Sequence, residues 1–256
     1  LSCSKTTFWQ RMFYGIEFVL FHSKSNRPMF FVILISFMLL GFAVQARLKN
    51  RFKKYSQEML HNGMSGAEVA QAMLDHYGLN SVRITGVPGK LTDHYNPATK
   101  TVNLSPEVYE GRSVAAAAIA AHECGHAVQH ANSYAWLTMR SKMVPVVNAS
   151  SQIMNVVFFA SIFGMSLLGL GYDGILLLLI GTQAVIAGFA VITLPVEYDA
   201  SRRALVWLKG AGITNPHNHG MAEDALKWAA RTYLVAAAAA VTQLLYYVML
   251  YLGRRD

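Results

Sequence analysis

Residues 113–131 read SVAAAAIAAHECGHAVQHA, and the fold that the sequence predicts is built around this stretch. Ser113 is a residue type that caps helices, and the alanine-rich run after it favours a helix over Val114–Ala131. So many small side chains allow close packing, which suits a helix that carries a site at the centre of a fold. His122 and His126 are four residues apart, so they lie one turn apart on the same helical face.

The pentapeptide His122-Glu123-Cys124-Gly125-His126 has HExxH spacing, in which two imidazoles can share one zinc ion. Glu123 adjoins the first histidine and can reach the attacking water. It can therefore act as general base and then as proton donor to the leaving amine. Cys124, between the histidines, is expected to be a small buried apolar residue. The pattern predicts a site for one zinc ion, with His122 and His126 as ligands.

Catalytic zinc takes three protein ligands, and two residues are candidates for the third. His130 shares the helical face but stands two turns, about 12 Å of rise, from His122, too far for one tetrahedral ion. His130 is instead expected to contact a metal ligand rather than the metal, to lie on the substrate side of the site, or to be a surface residue. Glu197 directly follows the long apolar run 174–196, so it is expected at a membrane boundary, where a carboxylate is costly unless it is paired or metal-bound. We favour zinc over a salt bridge to Arg202 or Arg203.

The surroundings of Glu197 lead to two further expectations. A helical stretch over 197–208 would place its carboxylate in a first turn, where the helix dipole favours negative charge. Asp199 either pairs with Arg202 and Arg203 or accepts a hydrogen bond from the ring N–H of a histidine that binds the metal.

The composition indicates a membrane protein. Apolar residues make up 54% of the 256 residues and charged residues only 14%, too few charges for a disordered chain or an ordinary soluble enzyme. Four uncharged runs are each long enough to cross a bilayer: 29–46, 153–172, 174–196 and 232–252. Buried core helices are the alternative, but four of them would need a far larger protein. Because Tyr172-Asp173-Gly174 alone separates the second and third runs, a helical hairpin is predicted.

Basic residues give the predicted orientation and explain the net charge of +8. Twelve lie near the spans on the side of the polar segment 47–152, and six lie on the other side. This excess predicts that the polar segment faces the cytoplasm or a mitochondrial-type matrix. No zinc-finger spacing, and no basic stripe with interleaved aromatic residues, supports binding to nucleic acid.

Local signals divide the polar segment into a small α+β domain. Ser65 and Glu68 form a predicted capping box, and Gly78 is the expected stop of the helix that follows. The remaining predicted elements are a strand at 81–87, a hairpin of 90–95 with 100–104, and a short helical turn that opens at Ser105-Pro106.

Three segments together closely resemble the YugP-type neutral zinc metallopeptidases, which are multispan membrane proteins found mainly in bacteria. They are Leu91–Tyr95, Ala121–Ala127 and Leu194–Ala204, and the resemblance covers about residues 29–252. The family is similar in layout to the larger gluzincin group, which includes HtpX and the CAAX prenyl endopeptidases.

The resemblance implies several roles for residues of this chain. In the larger group a Glu-x-x-x-Asp helix supplies the third zinc ligand; Glu197 matches that glutamate, and Ser201 stands in place of the aspartate. The strand 91–95 is expected to line the cleft, because gluzincin-type proteases bind substrate as an added strand. His94 or Tyr95 would then stabilise the oxyanion, unless both are ordinary hairpin residues. Tyr198 and Arg202 are further candidates for that role.

The predicted fold is a mainly α-helical integral membrane protein with about four transmembrane helices and a small gluzincin-like α+β domain. Its predicted organisation is a basic segment 1–28, a transmembrane helix 29–46, a catalytic domain 47–152, a membrane hairpin 153–196, a third-ligand helix and linker 197–231, and a last transmembrane helix with tail 232–256. The segment 1–28 lies outside the resemblance. It is read as a surface helix, an interfacial segment, the remainder of a processed precursor, or part of a chain that lacks its first residues.

The predicted function is zinc-dependent endopeptidase action on protein or peptide substrates. The lipid bilayer would be its other partner, either the bacterial plasma membrane or an organellar inner membrane. The alternative is a proteolytically inactive subunit of a membrane complex that keeps the metallopeptidase fold. An intact HExxH motif with Glu197 favours the enzyme, because an inactive subunit needs no complete ligand set.

Overall fold

The computed structural model describes residues 27–162 and 171–253. The predictions for the first 26 residues lie outside this part of the chain. The described residues form two compact units. One comprises Val44–Thr138 and Leu194–Thr232, and the other comprises 27–43, 139–162, 171–193 and 233–253.

The first unit contains a three-stranded sheet and a capped helix, as the local signals predict. Helix α1 spans Arg27–Tyr55 and α2 spans Gly66–His76. Ser65 and Glu68 form both hydrogen bonds of the capping box, and Gly78 follows the helix with a φ of +66°. Strands β1 (Arg83–Gly86), β2 (His94–Asn96) and β3 (Thr101–Leu104) follow in the chain. Their order in the sheet is β1-β3-β2, with β1 parallel and β2 antiparallel to β3, so β2 is an edge strand.

A central helix of the first unit confirms the prediction made from its cap. A short helix, α3, spans Pro106–Tyr109, and α4 then spans Val114–Ala131 with the Ser113 side chain accepting from the Ala116 N–H. Most residues of α4 are buried, in a core shared with α2 and the sheet. Cys124 is buried and its Sγ lies 3.6 Å from the Ala70 carbonyl oxygen, which confirms its packing role.

Three long helices complete the described chain: α5 spans Ala135–Ile162, α6 spans Tyr172–Gly210, and α7 spans His219–Leu252. Among the described residues α1, α6 and α7 are long and apolar enough to cross a membrane. The second predicted span falls partly on 163–170, which lie outside the described residues, so three of the four predicted spans have such a helix.

Helix α6 corrects two predictions. Tyr172-Asp173-Gly174 is its first turn rather than a loop between spans, and Glu197 lies in its interior rather than at the start of a new helix. The helix continues through Pro195, which lacks the N–H that would bond to the carbonyl four residues earlier. Apolar helices tolerate proline when neighbouring groups satisfy the freed carbonyl. The expected stabilisation of Glu197 by a helix N-terminus is therefore wrong.

The second unit has an apolar core of its own. It includes Phe30, Leu34, Leu176, Leu179 and Tyr247, all of which are buried. Polar side chains within this unit bond to neighbouring groups: the Gln183 amide donates to the Ala240 carbonyl (3.0 Å) and the Gln243 amide to the Tyr247 hydroxyl (2.9 Å). Such pairing is required of polar groups in helices that pack in an apolar environment.

Candidate metal centre

Three side chains that are distant in sequence converge inside the first unit. His122 and His126 come from α4 and Glu197 from α6, and their candidate ligand atoms all lie within 4.8 Å of one another. Glu197 Oε2 is 3.4 Å from His122 Nε2 and 3.8 Å from His126 Nε2. Two imidazoles and one carboxylate form a donor set that catalytic zinc uses. The burial, chemistry and convergence of the three residues fit a Zn²⁺ ion.

The close approach of α4 to α6 depends on Gly125. A Cβ placed on this residue would lie 2.6 Å from the Ala200 carbonyl oxygen, a backbone atom that cannot rotate away. The glycine between the two histidines therefore lets α6 come near enough to bring Glu197 to the imidazoles. No pattern in the sequence predicts this role of Gly125, because the requirement arises from a helix contact about 75 residues away in the chain.

We expect Gly125→Ala to force α4 and α6 apart and to lower both zinc content and thermal stability. Overpacking of this kind costs about 1–3 kcal/mol. Zinc analysis and thermal unfolding of the purified chain in detergent check both effects. Gly181→Ala is the matched control, because it adds a methyl group within α6 where nothing lies within 4 Å. Native zinc content and stability in Gly125→Ala would show that metal binding does not depend on the close contact between α4 and α6 at this residue.

The remaining ring nitrogen of each histidine also has a partner. His126 Nδ1 is 3.1 Å from Gln129 Oε1, and His122 Nδ1 is 3.1 Å from Ser201 Oγ. The fully buried Gln129 amide donates both of its hydrogens, to the Val196 carbonyl (2.8 Å) and to Asp199 Oδ2 (2.9 Å). Its Oε1 therefore accepts the hydrogen bond from His126 Nδ1–H, which leaves the lone pair on Nε2 of that ring available to bind a metal ion together with Glu197.

Asp199 resolves the two alternatives for its role. It pairs with Arg202 and Arg203, in each case at 2.5 Å, and accepts from Gln129 rather than directly from a histidine. The direct histidine contact is therefore wrong, because Gln129 lies between the carboxylate and His126. Gln129 was not predicted, although its position three residues after His126 on the same helical face was a usable signal. Ser201, four residues after Glu197, contacts His122.

Glu123 lies beside the candidate ligands and is held by the edge strand. The Tyr95 backbone N–H donates to Glu123 Oε2 at 3.0 Å. The side chain is buried, and burial raises the pKa of Glu123 to about 7, although His122 acts to lower it. A carboxyl group with a pKa in this range can both accept and donate a proton near neutral pH.

The other residues predicted to lie near the metal or the substrate surround this centre. The Tyr95 hydroxyl lies 2.8 Å from His130 Nδ1, so His130 connects α4 to β2 and lies outside the group of candidate ligands. His94 Nδ1 is 2.8 Å from the Thr92 carbonyl oxygen and its Nε2 is 3.3 Å from Asn103 Nδ2. Arg202 turns to Asp199. The structure thus joins Tyr95 and His130 to the surroundings of Glu123, whereas the His94 ring bonds within the hairpin.

Comparisons with known proteins agree with this geometry. The family described as "Putative neutral zinc metallopeptidase" matches residues 30–252. The "Putative membrane protease YugP" of Bacillus subtilis (strain 168) is 38% identical over 230 residues, which cover 89% of this chain and 99% of that protein. No solved structure matches the chain. The match along nearly the whole chain, together with the HExxH motif, shows that this protein belongs to the YugP-type neutral zinc metallopeptidase family.

Proposed function

We propose that this protein is a membrane-embedded endopeptidase that uses one zinc ion to hydrolyse peptide bonds of protein substrates. The convergence of His122, His126 and Glu197 next to Glu123 carries this proposal. Membership of a zinc metallopeptidase family supports it, as does the name of the related membrane protease.

The two histidines and Glu197 would hold the metal. Bound there, zinc supplies a Lewis acid that polarises the scissile carbonyl and lowers the pKa of the attacking water. Gln129 and Ser201 fix the imidazole orientations, so that both Nε2 atoms stay directed to the same point. Ion pairs with Arg202 and Arg203 fix the Asp199 carboxylate, and this carboxylate in turn holds the Gln129 amide by a hydrogen bond.

Glu123 is the proposed general base and proton donor. The Tyr95 N–H engages Oε2, so we assign proton transfer to Oε1. The carboxylate accepts a proton from the attacking water and then delivers it to the amine that leaves as the peptide bond breaks. Because the same hydrogen bond fixes the carboxylate, Glu123 enters the reaction already oriented.

The edge strand β2 is the proposed substrate platform. It pairs with β3 on one side, and the Tyr95 N–H on its other side points to Glu123. An extended peptide that pairs with the other backbone groups on this side of β2 would lie next to the general base. The Tyr95–His130 hydrogen bond then serves to hold the strand against α4. The Tyr95 hydroxyl is also the proposed donor to the developing oxyanion, with His130 Nδ1 carrying the proton of their hydrogen bond.

Membrane fractions provide a direct test of the function. Cells that carry either the native chain or Glu123→Gln are compared by proteomics that reports new protein N-termini. We expect a set of fragments that appears only with the native chain. The complete absence of fragments that depend on Glu123, at equal protein levels, would contradict the proposal and assign the chain as an inactive subunit of a membrane complex.

We further propose that the first unit faces the cytoplasm or matrix. The larger group of basic residues lies near the ends of the spans that adjoin this unit, and such residues are enriched on the cytoplasmic side of membrane proteins. In a Cys3→Ser background, Lys100→Cys places a thiol in the exposed turn between β2 and β3, whereas Cys124 is buried. We expect impermeant reagents to label it only from the cytoplasmic or matrix side. Gly253→Cys, after the last helix, should be labelled from the opposite side. Labelling of Lys100→Cys from that opposite side alone would reverse the orientation.

A further inference from the structure

A row of paired side chains runs along the contact between α1 and the first half of α7. The Tyr55 hydroxyl donates to Asp224 at 2.7 Å, and Arg51 Nε lies 3.2 Å from the same carboxylate. One turn further towards the apolar part of α1, Arg47 contacts Trp228, with Cζ 5.6 Å from the ring centre. Arg231, on α7, also lies over this ring, with Cζ 4.2 Å from its centre.

The arginines of this row differ in their counter-ions. Arg51 has the carboxylate of Asp224. Arg47 and Arg231 are exposed, and neither forms an ion pair with a carboxylate in the part of the chain that the structure describes. Both guanidinium groups contact the same indole ring, so two positive charges without an acidic partner meet at one side chain. Such a pair favours an anion that can bind both.

The position of this pair in the sequence indicates which anion it meets. Arg47 directly follows the apolar run 29–46, and Arg231 directly precedes the apolar run 232–252. Both belong to helices that are long and apolar enough to cross a membrane. Arginine and tryptophan at the end of a membrane span lie at the depth of the lipid headgroups. The anion most concentrated at that depth is the phosphate of an acidic phospholipid.

We propose that Arg47, Arg231 and Trp228 form a binding site for the headgroup phosphate of an anionic phospholipid. Guanidinium groups match phosphate oxygens through paired N–H donors, which an ammonium group cannot reproduce. The indole ring holds both cations by cation–π contact and offers an apolar surface to the adjoining glycerol and acyl atoms. The site lies apart from the candidate metal ligands in sequence and does not depend on the proposed proteolysis.

Reconstitution of the full chain tests the site. The native chain is placed in nanodiscs that contain phosphatidylcholine alone or phosphatidylcholine with phosphatidylglycerol, and retained lipid is measured by native mass spectrometry after release. We expect retention of phosphatidylglycerol by the native chain. Arg47→Gln/Arg231→Gln should bind it about 30-fold more weakly, which is the combined contribution of two basic residues near a membrane surface. Arg47→Lys/Arg231→Lys should show an intermediate loss, because charge remains without the paired donors.

Lys49→Gln/Lys53→Gln is the matched control, since it removes two exposed charges from the same helix. Circular dichroism and zinc content establish that each variant is folded. Equal retention of phosphatidylglycerol by the arginine-to-glutamine variant and this lysine control would overturn the proposal. It would also be overturned if inorganic phosphate bound to the detergent-solubilised chain as tightly as the lipid, because the site would then recognise a free anion.

Discussion

Glu197→Ala is expected to lose zinc at neutral pH while the chain stays folded in detergent. The substitution removes one of three proposed ligands and leaves two imidazoles, which do not complete a catalytic zinc site. Glu197 is buried in the interior of α6, so a smaller side chain leaves the helix itself intact. Zinc analysis of the purified variant measures the loss, and circular dichroism measures the remaining helix content.

Two comparison variants show whether the zinc loss is specific to Glu197. Asp199→Ala should lose less zinc, within the roughly 10–100-fold range typical of residues that orient a ligand, because Asp199 acts through Gln129. His130→Ala should keep zinc, since His130 bonds to Tyr95 outside the group of candidate ligands. Stoichiometric zinc in Glu197→Ala, with loss in His130→Ala, would transfer the third-ligand role to the histidine.

Glu123→Gln is expected to keep zinc and lose peptide cleavage by about 10²–10⁴-fold, the usual contribution of a general base. Glutamine has nearly the same shape, and its carbonyl oxygen can still accept from the Tyr95 N–H. Only the ability to take up the proton disappears. Hydrolysis of a peptide that the native chain cleaves, measured beside zinc content, separates the two effects.

Glu107→Gln is the control for removal of a carboxylate elsewhere in the same unit. Glu107 is exposed and pairs with Lys90 in a surface contact of little energetic weight. Its activity should equal that of the native chain. A near-native rate for Glu123→Gln would assign proton transfer to another group.

Sequence reasoning succeeded where the signal was local. Ser113 and the alanine run predicted the bounds of α4, and Ser65 with Glu68 predicted the start of α2, because caps act within one helical turn. The hairpin of β2 and β3 also followed from a short pattern. The parallel pairing of β1 with β3 was not predicted, since parallel neighbours depend on contacts between distant parts of the chain.

The errors have a different physical origin. Pro195 was interpreted as the end of a span, but α6 continues through it to Gly210. The rule that proline stops helices weakens in apolar surroundings, where an interrupted helix would expose more backbone than the single missing bond does. Glu197 was misplaced for the same reason, because it was assigned to a helix start that does not exist. The pattern at Tyr172 predicted a loop between two spans, whereas Tyr172 is the first residue of α6.

The residues of the candidate site also differ in whether a local pattern could predict them. His122, Glu123 and His126 follow from spacing within one helix, and Glu197 from elimination together with the family resemblance. Gln129 and Gly125 acquire their roles only when α6 packs against α4. No pattern within a single helix could reveal that contact.

Zinc X-ray absorption spectroscopy of the purified native chain tests the proposed metal centre most directly. We expect one zinc ion per chain, bound by two imidazoles at about 2.0–2.1 Å and by carboxylate oxygen at about 2.0–2.2 Å, with no sulfur. The oxygen contribution should be assignable to Glu197, because the site in Glu197→Ala should be empty. A sulfur ligand at about 2.3 Å or a third imidazole would contradict the ligand set of His122, His126 and Glu197.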